Sequence, residues 1–330
     1  MNRSSPSTAP PPQASAVAPR PPSTALLAAC FAIIYIVWGS TYLAIRVGVE
    51  TIPPFLMAAS RFLVAGGLML LFLRLRGTPW PTARQWLTGA IAGSLMLLGG
   101  NALVGFAEKT VASNIAALMI AATPAWFALL NWARPGGSAP PRRVLLGIAI
   151  GFSGVGWLVA HRGENHPSGS DASLGVSVTL IGTLILLCAS ILWAAGSLFV
   201  KHVDKPASPF QGAAVQMLAG GAVVLLVSAA MGELRDFRPR QVSPRSFWCW
   251  FYLITLGSWL AYSAYNYLLA HVSAAAVSTY AFVNPVVAVA LGWWLAGEVF
   301  HPAMLAAAGI IVLGVIFITW PGGARKVRAD

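Results

Sequence analysis

Charge is what this sequence holds least of. Charged residues make up 9% of it, where an ordinary soluble domain carries about 25%. A soluble fold needs charge to cover its surface, so that class is excluded. Acids are scarcest: nine Asp and Glu stand against 21 Lys and Arg in 330 residues. Cysteine is nearly absent as well. Its three copies, Cys30, Cys188 and Cys249, fall inside apolar runs, and none belongs to a CxxC pair. Three such thiols argue against a disulfide framework and give no metal site. The five histidines, His161, His166, His202, His271 and His301, lie in loops or at the edges of apolar runs. No metal cluster or buried proton relay follows from them, and no cofactor is expected.

What is abundant is apolar surface. Hydrophobic residues reach 57% and mean hydropathy is +0.73. Disorder over most of the length is excluded, because disordered chains lack apolar residues. One water-facing core cannot use so much apolar surface, and the fitting solvent is a lipid bilayer. The net charge of +12 would suggest nucleic acid in a soluble chain. Here the basic residues sit mostly in short stretches between apolar runs, where they set topology. No nucleic-acid partner is expected.

Ten apolar windows can be marked: 25–45, 53–73, 86–107, 110–132, 144–160, 174–200, 207–231, 246–270, 272–297 and 302–320. Each is near the ~20 residues a helix needs to cross the hydrocarbon. They are continuously apolar, whereas a membrane barrel shows ~10-residue alternation. Across all ten the one formal charge is Arg61. Residues 1–23, rich in Pro, Ser and Ala, read as a disordered cytoplasmic tail rather than a signal peptide. Residues 161–173 form an extracytoplasmic linker, and 321–330 a basic cytoplasmic tail. With the N-terminus inside, inner segments hold 13 Lys and Arg and outer segments hold 7. That asymmetry puts both termini in the cytoplasm. The loop 232–245 resists it, with four arginines outside.

The two halves align. At an offset of 155, Trp38 meets Trp193, Arg46 meets Lys201, and Pro54-Phe55 meets Pro209-Phe210. Between 34–71 and 189–226 there are 11 identities in 38 positions. At an offset of 161, Pro124 meets Pro285 and Val111 meets Val272. Each repeat, 24–160 and 174–320, has five spans. Five is odd, so the second repeat starts from the opposite side of the membrane and the repeat is inverted. The expected fold class is an all-α polytopic membrane protein, ten transmembrane helices in a 5+5 inverted repeat. Inverted repeats put a substrate site near the midplane between the halves and allow two mirror-related states. That points to alternating-access transport.

The run Trp38-Gly39-Ser40-Thr41-Tyr42 resembles the first helix of the EamA branch of the drug/metabolite transporter superfamily. Pro53-Pro54-Phe55 and Arg61-Phe62 resemble it too. The stretch from Asn266 to Glu298, with Tyr280, Asn284-Pro285-Val286-Val287-Ala288 and Gly297-Glu298, is similar to the ninth helix of YedA-like members. The resemblance covers roughly 25–320. It implies ten helices, a 5+5 inverted repeat and a central cavity. It also implies export of a small metabolite or drug, an amino acid or similar, across the bacterial inner membrane.

The polar residues of the spans are the candidate site. Arg61 lies near the centre of span two, where an arginine costs at least ~2.5–3.5 kcal/mol. No span holds an Asp or Glu to pair with it. It is read as facing the cavity and attracting a carboxylate or another electron-rich group. The plainer reading is a packing role on backbone carbonyls. Its twin, Gln216, weighs against that, because a purely architectural role should appear in both halves. Pro124 and Pro285 free a carbonyl each and are read as hinges or cavity-lining breaks. Thr123 and Asn284 precede them and can fill the exposed bonds. Ordinary membrane-helix kinks are the alternative.

Tyr262 and Asn266 are four apart, as are Tyr280 and Asn284, so each pair shares a helix face. With Asn101 they suit a cavity wall, or equally interhelical packing. Trp38 and Trp193 lie deep in their spans, away from the interfacial belt, which suits a cavity or the repeat seam. Thr41, from the Trp38–Tyr42 run, completes the set. Gly89 with Gly93 and Gly147 with Gly151 are spaced for close helix contact. Glu108 and Glu298 are the acids near span ends that could couple protons; solvated end residues are the plainer reading.

Rival classes fit poorly. Gly151-Phe152-Ser153-Gly154 matches the GxSG string of an intramembrane protease, but a serine nucleophile needs a base and no His lies inside a span. A scaffold protein needs neither an inverted repeat nor a buried arginine. A nucleotide-sugar or lipid carrier of the same superfamily is the nearer alternative, and several cavity charges would mark the former. The expected partners are a small-molecule substrate and the lipid bilayer. Protons as a coupling ion and a homo-oligomeric assembly stay open.

Overall fold

A computed structural model describes residues 22–107, 109, 119–160, 172–206, 208–296 and 302–320. Among the described residues there is helix and no strand. Helix α1 (Thr24–Gly48) starts where the Ser23 side chain accepts from the Leu26 N–H at 3.1 Å, an N-cap that satisfies an otherwise orphaned donor. Helix α2 (Pro54–Leu75) and α8 (Pro209–Ala230) both open on a proline in the first turn, where its missing N–H costs nothing. Between them lie α5 (Thr123–Ala133), α6 (Arg142–Ala160) and the long α7 (Ala172–His202).

The third and eighth spans depart from plain α-helix. The third runs as α3 (Ala83–Gly93), a π-helical stretch π1 (Ser94–Ala102) and α4 (Leu103–Ala107). The eighth runs as α10 (Pro244–Tyr252), π2 (Leu253–Ala261) and α11 (Tyr262–His271). Each π stretch is nine residues long. Such windings are rare and gather at functional sites. Apolar windows carry no signal for them. Before the eighth span come α9 (Glu233–Asp236) and a 3₁₀ turn at Pro239–Gln241. The ninth is α12 (Ala274–Ser278) and α13 (Tyr280–Ala296), and the tenth is α14 (Pro302–Thr319).

Five helical stretches among the described residues are long and apolar enough to cross a membrane: Thr24–Gly48, Pro54–Leu75, Ala83–Ala107, Leu184–His202 and Pro209–Ala230. Polarity runs inside out. Leu68, Leu71, Leu75, Leu226 and Trp294 are exposed, while Arg61, Gln216, Asn266 and Asn284 are buried. Intramembrane polar residues face a bundle interior for this reason.

The main helix contacts recur when the halves are exchanged. Helix α2 lies along its twin α8, and α6 along its twin α14. Helix α1 packs on π2 and α11, as α7 packs on π1 and α4. Helix α1 also meets α13, as α7 meets α5. A relation in which each contact has its partner under exchange is that of a two-fold axis. Small residues permit the closest crossings. A Cβ on Gly93 would stand 2.8 Å from the Gly220 Cα, and one on Gly66 2.9 Å from the Met217 Cβ.

Candidate functional site

A cavity enclosing about 740 Å³, open solvent included, lies between the halves. Helix α1 supplies Trp38, Thr41, Tyr42 and Ile45, spaced as one helix face. Arg61 and Phe62 come from α2, and Leu97, Gly100, Asn101 and Val104 from the third span. The fourth gives Ile120 and Thr123, α7 gives Ser190 and Trp193, and the eighth gives Gly257, Ser258 and Tyr262. Tyr280 and Asn284 of α13 close the wall.

Arg61 is 3% exposed. Its Nη2 donates to the Asn101 Oδ1, its guanidinium stands 4.5 Å from the centroid of the Phe62 ring, and its Nε has no hydrogen-bond partner among the described residues. Asn101 and the Phe62 ring are both neutral. Ser258 Oγ and Asn284 Oδ1, buried in the same lining, also lack partners among the described residues. Trp38 and Trp193 meet edge to face at 5.5 Å, so the twin tryptophans touch across the repeat seam. Tyr265 and Tyr280 each stand 5.0 Å from Trp38. The Trp38 indole donates to the Gly257 O at 3.2 Å, and the Trp193 indole to the Tyr265 OH at 3.0 Å. The aromatic cluster is thereby pinned by its polar edges.

Of the residues singled out in the sequence, Trp38, Thr41, Arg61, Asn101, Thr123, Trp193, Tyr262, Tyr280 and Asn284 surround this one cavity. Gln216 and Asn266 do not. Asn266 is buried, and its Nδ2 donates back to the Tyr262 O at 2.9 Å within its own helix. A spacing of four puts two residues on one face, but here the amide turns along the helix to reach a carbonyl. Gln216 lies behind Tyr262, whose OH donates to its Oε1 at 2.6 Å. It lines a second, smaller pocket with Gln85, Thr88 and Lys205.

The prolines differ as well. Pro124 sits in the first turn of α5, just past a turn at Ala121–Ala122. Pro285 is inside α13, and the ninth span is interrupted earlier, at Thr279. Only the first proline coincides with a break. Glu108 and Glu298 lie outside the described residues. Ser153 of the GxSG string is exposed and donates to the Ile150 O at 2.8 Å in its own helix.

Several participants went unread in the sequence: Tyr42, Ser190, Ser258 and Tyr265. Tyr42 stood in the Trp38–Tyr42 run. The serines carried no signal, because a small hydroxyl is common anywhere in a membrane helix.

The structure also extends the repeat. At the offset of 161, Thr82 matches Ser243, and both are side-chain N-caps. Phe106 matches Tyr267; Phe106 stacks on Phe55 and Tyr267 on the twin Phe210. That register pairs Asn101 with Tyr262. The hydrogen bond from Arg61 to Asn101 and that between Tyr262 and Gln216 are therefore twins. One faces the cavity and the other separates it from the second pocket. At the far end of α7, Lys201 donates to the Leu269 O at 2.8 Å and the Val272 O at 2.6 Å.

A family model described as the EamA-like transporter family matches residues 24–160 and 180–320. The chain is 40% identical over 295 residues to the inner membrane transporter YedA of Escherichia coli, covering 89% of this chain and 90% of that protein. It is 25% identical over 292 residues to a Salmonella typhimurium protein named "Probable amino-acid metabolite efflux pump", covering 86% of this chain and 91% of that protein. A solved crystal structure shares the fold at a TM-score of 0.68 and 20% identity, covering 90% of this chain and 97% of that one.

Proposed function

The chain belongs to the EamA-like transporter family, and from that premise we propose that it exports a small metabolite by alternating access. As a member it is a multi-pass transporter of the inner membrane. In the proposed arrangement the ten windows are ten spans in a 5+5 inverted repeat, with both termini in the cytoplasm. The efflux pump of Salmonella typhimurium supports the outward direction and an amino-acid-like size of cargo.

The twin polar pairs carry this reading. In the proposed orientation, Tyr42, Ile45, Arg61 and Val104 belong to the outer halves of their spans. Tyr262 and Gln216 belong to the inner halves, and Lys205 to the inner face. The cavity is then outward-facing, and the Tyr262–Gln216 bond with the aromatic cluster closes it from inside. If the halves exchange shapes, Gln216 and Tyr262 open to the cytoplasm while Arg61 and Asn101 close. Substrate is taken up at one pair and released at the other. A nucleotide-sugar carrier would need several cavity charges, and Arg61 is the one charge among the described lining residues.

The test is counterflow in proteoliposomes, combined with single cysteines at Val104 and Val203. Expected are saturable exchange and labelling of the two positions that changes in opposite senses when substrate is added. Labelling that moves in the same sense at both sinks alternating access. Proton coupling through Glu108 or Glu298 is tested in the same vesicles, by imposing a pH gradient on wild type and on Glu108→Gln and Glu298→Gln.

A further inference from the structure

An interior charge with no counter-charge is a demand on whatever enters beside it. Arg61 is 3% exposed; among the described residues its hydrogen-bond acceptor is one neutral amide, and its Nε is unpartnered. An arginine stays protonated in proteins, and its planar fork matches a carboxylate in two parallel bonds. A carboxylate placed there relieves the isolated cation and fills the open donor. The apolar windows contain no Asp or Glu, so an ammonium arriving with that carboxylate finds no counter-charge. It would instead add a second positive charge beside Arg61 in a low dielectric, where like charges repel strongly. The lining therefore discriminates by net charge as well as by carboxylate.

Two further features shape the rest of the ligand. The Trp38 ring stands 5.5 Å from that of Trp193 and 5.0 Å from that of Tyr280, edge to face in both cases, a surface that takes another ring in the offset or edge-to-face geometry aromatics prefer. Ser258 Oγ and Asn284 Oδ1 are buried and neutral, and among the described residues they are unpartnered. Unmade bonds of this kind favour a ligand that completes them, and a neutral donor such as a phenolic hydroxyl does so without adding charge.

We propose that the cavity selects small aromatic monocarboxylates of net negative charge, favouring those with a ring hydroxyl, over the corresponding zwitterions and amines. This deepens the transport reading of the same cavity and rests on it.

The test uses one scaffold in four charge states: 3-(4-hydroxyphenyl)propionate, tyrosine, tyramine and 3-(4-hydroxyphenyl)propan-1-ol. Each is titrated against the purified full chain in nanodiscs, read by calorimetry and by intrinsic tryptophan fluorescence. The propionate is expected to bind at least about tenfold tighter than tyrosine, a difference of one decade in Kd, with tyramine weakest of the four. Arg61→Gln should bring the propionate and the alcohol to within about threefold, while Arg61→Lys keeps part of the preference. Melting curves verify that each variant is folded; a variant that fails to fold is replaced by competition of the four compounds on wild type.

Tyrosine binding as tightly as the propionate, tyramine binding more tightly, or no binding by any of the four would overturn the proposal. Counterflow separates the two readings. A propionate that binds selectively yet is never moved sinks the transport reading and leaves the selectivity standing. Movement of tyrosine with indifference to the propionate does the reverse.

Discussion

Arg61 carries the heaviest expectations at the residue scale. It is buried, charged and held by a neutral partner, and its twin in the second repeat is Gln216. Arg61→Gln copies that twin, so the protein should still insert and melt as wild type. A hydrogen bond to a charged group contributes about 1.5–3 kcal/mol, so transport should fall roughly 10- to 150-fold. Arg61→Lys should recover part of it, because a point charge cannot reproduce the fork. Counterflow together with membrane yield measures both; loss of folded protein in Arg61→Gln would make the residue structural. Tyr262 gives the complementary case. Tyr262→Phe leaves the buried Gln216 Oε1 without its donor, which costs about 1–3 kcal/mol. The melting temperature should drop, and a cysteine at Val203 should label faster as the inner closure loosens. Unchanged labelling would mean that the bond is packing alone.

At the scale of elements, the π stretches and the crossings they face matter most. Asn101 and Ser258 lie within π1 and π2, so the third and eighth spans each bring a polar cavity residue into place through unusual winding. Helix α3 reaches α8 through Gly93 and Gly220. Gly93→Ala puts a methyl against that backbone, and overpacking of this kind costs about 1–3 kcal/mol. Thermal unfolding in detergent should show the loss, and Gly309→Ala, with nothing within 4 Å of its added Cβ, should not. The prolines separate by position. Pro124 occupies a first helical turn, where Ala is readily accepted; Pro285 breaks an interior bond of α13. If both serve the exchange of halves, Pro124→Ala and Pro285→Ala shift cysteine accessibility in opposite directions and slow transport. Shifts of the same sign, or normal transport by both, leave the prolines as passive kinks.

For the molecule as a whole, the two-fold relation is the governing feature. Contacts such as α1 on α13 and α7 on α5 map onto one another, and the proposed exchange of halves rests on that correspondence. The charges break that equality: Arg61 has no charged twin. The proposed orientation is checked by reporter fusions. Ser170 and Arg240 should report outside and Ala139 inside. A cytoplasmic Ser170 would remove the inversion and with it the symmetric exchange. Four arginines in 232–245 make Arg240 the harder of the two outer positions.

Membrane residence and the repeat were legible in the residues themselves. A bilayer admits only backbone that satisfies its own bonds, so a continuous apolar run of the right length reads as a helix whatever its neighbours do. Trp38 with Trp193, and Pro54-Phe55 with Pro209-Phe210, revealed the duplication because such residues seldom recur by chance. Most of the cavity was legible too, since a polar side chain in a lipid-facing run must turn inward. Which way it turns once inside was decided by the tertiary structure. Hydropathy carries no information on rotation about the helix axis within the bundle, so Gln216 behind Tyr262 and Asn266 folded along its own helix looked the same as cavity residues. The π winding at Ser94–Ala102 and Leu253–Ala261 was hidden for a related reason: it changes hydrogen-bond partners without changing composition. The pairing of Arg61 with Asn101, and of Gln216 with Tyr262, joins segments aligned at two different offsets, 155 and 161. Only the packing of α2 on the third span, and of α8 on the eighth, brings those registers together.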